Sequence, residues 1–216
     1  MRYALLLFAG VVFFTLFSTT LVRAESAQAS GMYAGMHSGY ATGMTKADGA
    51  VLGVQVGYNR WYENILVGIE ADATYGSIEG EVPLDNFLSI HGDTSVLSSI
   101  RARFGMKFDE HRTFVYFTGG PAAAQTKAEM RCAPGATLGL CAISGPFRAS
   151  DARWIYGWTF GGGAQYALTP DISLGAEYRR YMFSEKTFSF ATPIGAVSGT
   201  SDLNMHLFLL TISKSF

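Results

Sequence analysis

The sequence predicts an all-β fold: an eight-stranded antiparallel up-and-down barrel that crosses a membrane with its strands. Three observations predict it. Large or apolar side chains stand at every second position, short and long links alternate, and charged residues fall opposite the apolar face. Because successive side chains of a strand point to opposite faces, such stretches describe a wall with one apolar and one polar face.

The alternation is clearest in the segment 154–166. One face of it carries Trp154, Tyr156, Trp158, Phe160, Ala164 and Tyr166. The positions between them hold mostly glycine, threonine or glutamine. Similar segments recur along the chain, and the eight predicted strands are Met32–Tyr40, Val51–Trp61, Ile65–Ile78, Ser95–Phe108, Thr113–Lys127, Arg153–Ala167, Ile172–Phe183 and Leu203–Phe216.

The links between these strands alternate in length. The short turns are 62–64, 109–112 and 168–171, and the longer loops are 41–50, 79–94, 128–152 and 184–202. Outer-membrane barrels have tight periplasmic turns and long external loops, so this order predicts a barrel of that type with both chain ends on the periplasmic side. Pro121 inside the fifth strand predicts a bulge or a strand end, because proline cannot donate to the ladder.

Charged and aromatic residues predict that the barrel is apolar outside and polar inside. Arg101, Arg103 and Glu70 lie opposite the apolar faces of their strands. Aromatic residues gather near strand ends, as in membrane-interface belts: Tyr58, Trp61, Tyr75, Phe108, Trp154, Tyr178 and Tyr181. A soluble, lipocalin-like barrel with its apolar residues inside is the alternative.

The N-terminal residues 1–24 are predicted to be an export signal. An apolar run from Leu5 to Leu21 follows a basic residue, and Val22-Arg23-Ala24 places small residues at the cleavage positions. Cleavage after Ala29 and an uncleaved membrane anchor are the alternatives. The barrel domain is predicted to cover residues 30–216.

The charge balance argues against a nucleic-acid partner. Removing the signal takes away Arg2 and Arg23, so 16 − 2 = 14 basic residues remain against 17 acidic ones, a formal charge of −3. No lysine and arginine cluster stands out. The remaining length of about 190 residues suits a single domain.

The two cysteines, Cys132 and Cys141, lie close together in a segment rich in glycine, proline and alanine. In an exported protein such a pair predicts a disulfide that closes a short loop. Two free thiols are the alternative. Zinc is disfavoured because no histidine or further cysteine lies nearby in the sequence, and no other metal site is predicted.

The last strand is predicted to carry the assembly signal. Phe208, Leu210, Ile212 and Phe216 share one face, and Phe216 is the final residue, as in terminal strands of outer-membrane barrels. Lys214 interrupts that face, but a lysine near the rim can reach water. The partner predicted for this strand is the barrel-assembly machinery.

Six stretches carry a resemblance to a known family. They are Gly53-Val54-Gln55-Val56-Gly57-Tyr58-Asn59, Val67-Gly68-Ile69-Glu70-Ala71-Asp72, Ile100-Arg101-Ala102-Arg103-Phe104-Gly105, Thr118-Gly119-Gly120-Pro121-Ala122, the segment Gly157 to Thr169, and Ser173-Leu174-Gly175-Ala176-Glu177-Tyr178. With them the chain resembles the small, porin-like eight-stranded outer-membrane β-barrel proteins of alphaproteobacteria, which include surface antigens and haemin-binding proteins.

This resemblance covers most of the mature chain and implies a barrel in the bacterial outer membrane. The family's roles range over structural, adhesive and ligand-binding duties. Two places depart from its pattern. Ser30-Gly31-Met32-Tyr33 is plainer than the family's aromatic-rich opening, and Lys214-Ser215 stands where the family has an aromatic residue or arginine before the final Phe216.

The lumen is the first candidate site. Its predicted ion network consists of Glu70, Asp72, Arg101, Arg103, Glu177 and Arg179. Eight strands leave room inside only for side chains, and buried charges persist when they are paired. The network therefore predicts a plugged polar lumen, and a small selective pore is the alternative.

Two further hypotheses concern the loop predicted at 79–94. Ser89, His91 and Asp93 are spaced like a triad on an extended chain, which would suit a lipid A-modifying enzyme. The residue order does not resemble that of lipid A deacylases, and no catalytic residue is predicted.

Haem binding needs an axial ligand beside an apolar slot. His91 is the weak candidate for that ligand, near Phe87, Leu88 and Ile90. Among the other histidines, His37 is predicted to point into the lumen, His111 to lie in a short turn and His206 in the last strand. No cofactor is predicted.

Together these observations predict a monomeric, non-catalytic outer-membrane barrel with a structural or surface role. The predicted partners are outer-membrane lipids, lipopolysaccharide and a host or small-molecule ligand at the external loops. A pore and a haemin-binding or other ligand-binding surface protein are the alternative functions.

Overall fold

The computed structural model describes residues 30–43, 48–83, 88–108, 112–132, 134, 140–184, 186–192, 195–201 and 204–216. The predicted export signal, Phe87 and His111 lie outside the described residues. No helix in the described part of the chain is both long and apolar enough to span a membrane.

Ten strands and one short helix make up the described structure. The strands are β1 Gly31–Gly43, β2 Asp48–Tyr62, β3 Ile65–Pro83, β4 Leu88–Phe108, β5 Thr113–Cys132, β6 Phe147–Ala167, β7 Ile172–Phe183, β8 Lys186–Thr192, β9 Gly195–Ser201 and β10 Asn204–Ser215. Helix α1 is Leu140–Ser144, between β5 and β6.

Eight of these strands close into a barrel in the order β1-β10-β7-β6-β5-β4-β3-β2. The ring closes where β1 pairs with β10 in antiparallel register, with His37 opposite Thr211. Closure lets each strand hydrogen-bond to a neighbour on both sides, which the hydrocarbon interior requires. The predicted fold class is confirmed.

The orientation of the faces is also confirmed. Trp158 and Phe160 are 57% and 50% exposed on the outer wall, whereas Arg101 and Glu70 are 0% and 1% exposed inside. A soluble barrel would reverse these values, because its core is its interior. The lipocalin-like alternative is therefore wrong.

Two residues assigned to the aromatic belts lie inside instead. Trp61 packs edge-to-face on Phe114, with ring centroids 5.4 Å apart. Tyr181 is fully buried, while Tyr178 is exposed outside. The two tyrosines lie three positions apart, so a strand must place them on opposite faces.

The predicted external loops are largely strand. β3 and β4 pair from Ile65 opposite Met106 to Pro83 opposite Ser89. Residues 44–47, in the first predicted loop, and 84–87 are not described. The segments of β3 to β6 that continue past the aromatic belt are called the external sheet: 76–83, 88–95, 125–132 and 147–153. The last predicted loop contains the separate hairpin β8–β9.

Pro121 does not cause the predicted bulge or strand end. The β4–β5 register is the same on both sides of it, with Ser99 opposite Ala122 and Ala102 opposite Gly119. Only the two positions between these pairs drop out of the ladder, because proline has no N–H to donate. The register shifts higher up, between Thr94 and Val96.

Candidate functional site in the barrel lumen and on the external sheet

An ionic layer fills the middle of the lumen. It holds three arginines and three acids from β3, β4 and β7, which together carry no net charge: Glu70, Asp72, Arg101, Arg103, Glu177 and Arg179. All six side chains are buried. Because side chains alternate between the two faces of each strand, all six point towards the barrel axis.

Arg101 is the centre of this layer. Its NH1 donates to Oε1 of Glu177 at 2.6 Å, and its NH2 pairs with Glu70 and, at 3.4 Å, with Asp72. Glu70 stands directly opposite Arg101 in the β3–β4 register, but Glu177 arrives from β7 across the lumen. Arg101 therefore joins both sides of the barrel.

Arg179 and Arg103 complete the network. Arg179 donates from Nε to Glu177 at 2.7 Å and from NH1 to Asp72 at 3.1 Å. Arg103 lies over the ring of Tyr116 at 4.0 Å, a cation–π contact. Four neutral side chains accept further hydrogen bonds from the N–H groups of the three arginines: Tyr33, Gln55, Gln165 and Thr118.

An apolar layer fills the outer half of the lumen, above the ionic layer. It is a buried cluster of Ala41, Val51, Ile78, Leu97, Ala122, Ala124, Ile155, Tyr181, Phe183, Met205, Leu207 and Leu209. The predicted polar lumen did not include it. A signal was present in β10, where Leu207 to Leu210 are apolar on both faces of the strand.

A third group of side chains lies at the periplasmic end. Leu66, Phe114 and Tyr116 form a buried cluster, and Trp61 packs against it. Nζ of Lys107 lies 4.0 Å from the Trp61 ring. The lumen is therefore filled at three heights, and the network of paired charges lies in the middle one.

Ser89, His91 and Asp93 lie on β4 and not in a loop. Oγ of Ser89 is 3.0 Å from Nε2 of His91. Oδ1 of Asp93 is buried without a hydrogen-bond partner in the described ranges. The three residues share the outer face of the external sheet, as their spacing predicts.

The surroundings of His91 are polar. It lines a cavity of about 340 Å³ with Glu79, Gly80, Gly92, Asp93, Lys127, Glu129 and Arg131. Leu88 is three positions away on the same strand and so belongs to the opposite face. The apolar slot predicted beside this histidine is therefore not formed by Leu88.

An ion cluster of exposed arginines surrounds Glu129 on this sheet, and Glu129 itself is largely buried. Its Oε1 accepts from Nε of Arg131 at 2.5 Å and from Nε of Arg148 at 2.8 Å. The hydrogen bond from Arg131 lowers the pKa of Glu129. Nearby, burial raises the pKa of Asp93, and the Glu79 carboxylate raises it further.

The other two described histidines, His37 and His206, contact hydroxyl groups of the barrel wall. His37 points into the lumen, as predicted, and its Nε2 lies 2.8 Å from Oγ1 of Thr74. His206 is in β10, and its Nδ1 lies 2.7 Å from the Tyr178 hydroxyl. Among the described residues, no group of three or more His, Cys, Asp or Glu side chains is placed to hold a metal ion.

The predicted disulfide is present. Cys132 ends β5, and it is bonded to Cys141 of α1 with the two Cα atoms 5.4 Å apart. It fastens the helix to the top of the external sheet. Among the described residues there is no free cysteine.

The chain end closes the barrel seam. The N–H of Phe216 donates to the carbonyl oxygen of Met32 at 2.9 Å, and its ring is 55% exposed to the membrane side. Nζ of Lys214 lies 5.7 Å from the Phe216 ring. The outer face of β10 carries the apolar residues that its spacing predicts.

A model of the family described as "Outer membrane protein beta-barrel domain" matches residues 9–216. The chain belongs to this outer-membrane β-barrel family. Over 174 residues it is 31% identical to the 31 kDa outer-membrane immunogenic protein of Brucella melitensis, covering 69% of each chain. It is 28% identical to the 25 kDa outer-membrane immunogenic protein of Brucella canis, covering 75% of this chain and 69% of the relative.

Solved structures show the same fold. A major outer membrane protein from Thermus thermophilus superposes with a TM-score of 0.57 at 13% identity, covering 88% of this chain and 100% of that one. The outer membrane protein OprG of Pseudomonas aeruginosa gives 0.52 at 11% identity, covering 88% and 98%. This member of the outer-membrane β-barrel family is thus an outer-membrane protein related to surface antigens.

Proposed function

We propose that this protein is a closed, non-conducting structural barrel whose external sheet presents a contact surface outside the cell. The observation that carries the proposal is the filling of the lumen at three heights. The ionic layer lies between an apolar layer above and an aromatic cluster below. An ion crossing the lumen would have to displace paired charges and then pass apolar side chains without water, which is costly.

Planar bilayers test this proposal. Folded protein, selected by its different mobility on detergent gels before and after boiling, is expected to give no single-channel steps. A matched variant, Leu97→Gly/Leu207→Gly, removes two fully buried side chains from the apolar layer. Stable steps from the unmodified protein would overturn the closed-lumen proposal in favour of a pore, whatever the variant does.

A catalytic role is not part of the proposal. Ser89 and His91 are within hydrogen-bond distance, whereas Oδ1 of Asp93 has no hydrogen-bond partner within the described residues and so does not orient His91 as the acid of a triad would. The lipid A mass spectrum is expected to be identical in cells that overproduce the protein and its Ser89→Ala variant. A new lipid A species present only with the unmodified protein would contradict this.

The export signal is likewise proposed to be residues 1–24. Sequencing the N-terminus of protein taken from the outer membrane is expected to read Glu25 first, or Ser30 if the second site is used. A start at Met1 would mean that the segment is retained as an anchor.

The proposed partners follow from the two ends of the barrel. Lipopolysaccharide and host molecules would meet the external sheet, and the assembly machinery would recognise β10 through Phe216. Phe216→Ala is expected to lower the yield of folded barrel in the outer membrane, with Ile143→Ala on exposed α1 as the control. Equal yields of the two variants would remove Phe216 as the signal.

A further inference from the structure

The upper part of β6 has one edge that no described strand pairs with. β6 pairs with β5 from Phe147 opposite Cys132 to Tyr166 opposite Thr113. Its pairing with β7 begins only at Gly157, opposite Phe183. One further bond, from the N–H of Ser184 to the carbonyl oxygen of Tyr156 at 3.3 Å, is the last link above that pair.

The direction of the backbone groups on this edge follows from that last bond. The carbonyl of Tyr156 points to the β7 side, and the direction alternates along a strand. Residues 148, 150, 152 and 154 therefore also turn their N–H and C=O groups to the open edge. These residues are Arg148, Ser150, Ala152 and Trp154, and none is a proline. Such an edge is a template for another strand.

Strand β8 is the segment placed to use this template. It begins at Lys186, shortly after Ser184, whose N–H makes a bond to β6 above the β6–β7 ladder. A direct continuation of β7 into β8 would run antiparallel to β6. β8 pairs with β9 on one side, with Phe190 opposite Val197, and it approaches β6 without joining its ladder. Its sequence alternates threonine or serine with phenylalanine, the pattern of a strand with two different faces.

We propose that the open edge of β6 is a docking site for β8, so that the hairpin β8–β9 alternates between the unpaired position of this structure, in which it only approaches β6, and a docked one. Continuing the β6–β7 register defines the docked pairs. Ala152 would stand opposite Phe188, and Ser150 opposite Phe190. The docked hairpin extends the barrel wall outward and covers the edge of the external sheet.

A second copy of the chain fits this edge poorly. Two barrels in one membrane both run β6 from the outside towards the periplasm, so a two-fold axis along the membrane normal cannot bring their β6 edges together antiparallel. As a continuation of β7, β8 would run antiparallel to β6 within the same chain. Its short tether gives it a high effective concentration at the edge.

Cysteine cross-linking in native membranes tests the docked register. Directly opposed strand residues have Cα separations that suit a disulfide. In Ala152→Cys/Phe188→Cys, mild oxidation is expected to form an intramolecular bond. The matched variant Ala152→Cys/Ser189→Cys moves the second thiol to the other face and is expected to cross-link at least 10-fold less. Phe190→Cys/Val197→Cys should cross-link in both positions of the hairpin, because these residues are paired within it.

Equal yields for the Phe188 and Ser189 variants would overturn the proposal, because they would indicate random collisions. So would absence of the first bond, or a product of doubled mass, which would assign the edge to a second chain. Ala152→Pro removes an edge N–H and leaves the β5 ladder intact. It is expected to abolish cross-linking of Ser150→Cys/Phe190→Cys, and undiminished cross-linking in folded barrels would also overturn the proposal.

Discussion

The ionic and apolar layers fill the same lumen in two different ways. In the ionic layer, each side chain is stabilised by particular partners, as Arg101 is by Glu70, Asp72 and Glu177. In the apolar layer, Leu97, Leu207 and their neighbours stabilise the barrel by filling space and packing against one another. One layer therefore depends on pairing and the other on packing, so substitutions in the two layers should follow different rules.

The largest effect is expected from removing one partner of the ionic layer. Arg101→Met leaves Glu70 and Glu177 without their shared guanidinium in a buried site. We expect a loss of about 3–5 kcal/mol in the free energy of unfolding. Urea titration in lipid vesicles, followed by the gel-mobility shift, measures it.

The double variant Arg101→Met/Glu70→Gln controls for this charge effect, because it removes one acid together with the base. It is expected to recover part of the lost stability. If Arg101→Met is as stable as the unmodified protein, pairing does not stabilise the ionic layer, and the proposed difference between the two layers is wrong.

In the apolar layer, Leu207→Ala is expected to cost about 3 kcal/mol, because it leaves a cavity in a packed region. Leu207 is 0% exposed, whereas Leu210 on the same strand is 66% exposed to the membrane side. Leu210→Ala is the matched control and is expected to cost clearly less in the same titration. Equal costs would mean that the outer half of the lumen is not packed.

Gly57→Ala is expected to weaken the ionic layer indirectly. An added Cβ would lie 2.6 Å from ring atoms of Tyr33. That ring must move, and its hydroxyl accepts from Arg103 at 2.6 Å. We expect a loss of about 1–3 kcal/mol, typical of overpacking. Gly92→Ala is the control, since its nearest atom would be 4.0 Å away, and a matching loss there would refute the steric explanation.

The smallest effects concern the charges of the external sheet, which lie in reach of water. The lowered pKa of Glu129 means that its contribution is present above its unfolded pKa and is lost as pH falls through the folded value. The raised pKa of Asp93 has the opposite sign: its contribution is present at low pH and is lost as pH rises through the folded value.

Chemical unfolding measured from pH 7 down to well below the ordinary carboxyl pKa of about 4 checks these signs. Glu129→Gln is expected to destabilise the protein at pH 7 but not at the acidic end. Asp93→Asn is expected to stabilise it at pH 7 and to have no effect at the acidic end. Each change should stay below about 1 kcal/mol, as for exposed ion pairs. If Glu129→Gln stabilised the protein at pH 7 and Asp93→Asn destabilised it, the directions assigned to the two pKa shifts would be wrong.

Much of the barrel could be predicted because the face of a strand to which a side chain points depends only on whether its position is odd or even. Trp158, Phe160 and Arg101 fall on the predicted faces for that reason. The extent of β3 and β4 was missed, because Ser89, His91 and Asp93 alternate with few apolar residues and so resemble a polar loop. This part of β4 forms because it pairs with β3 and β5, and a local residue pattern does not reveal pairing with other segments of the chain.

The order of residues alone determined the number of barrel strands, the lipid-facing side and the acids and bases that enter the lumen, since side-chain direction alternates with period two. Ring closure decided which of them meet: Glu177 reaches Arg101 across 76 positions of chain. The register irregularity between Thr94 and Val96 decided which residues of β4 face inward, because the buried positions change from Leu97 below it to Thr94 above it. Strand β3 keeps the same inward face on both sides of its own shift, with Thr74 and Ile78 both buried.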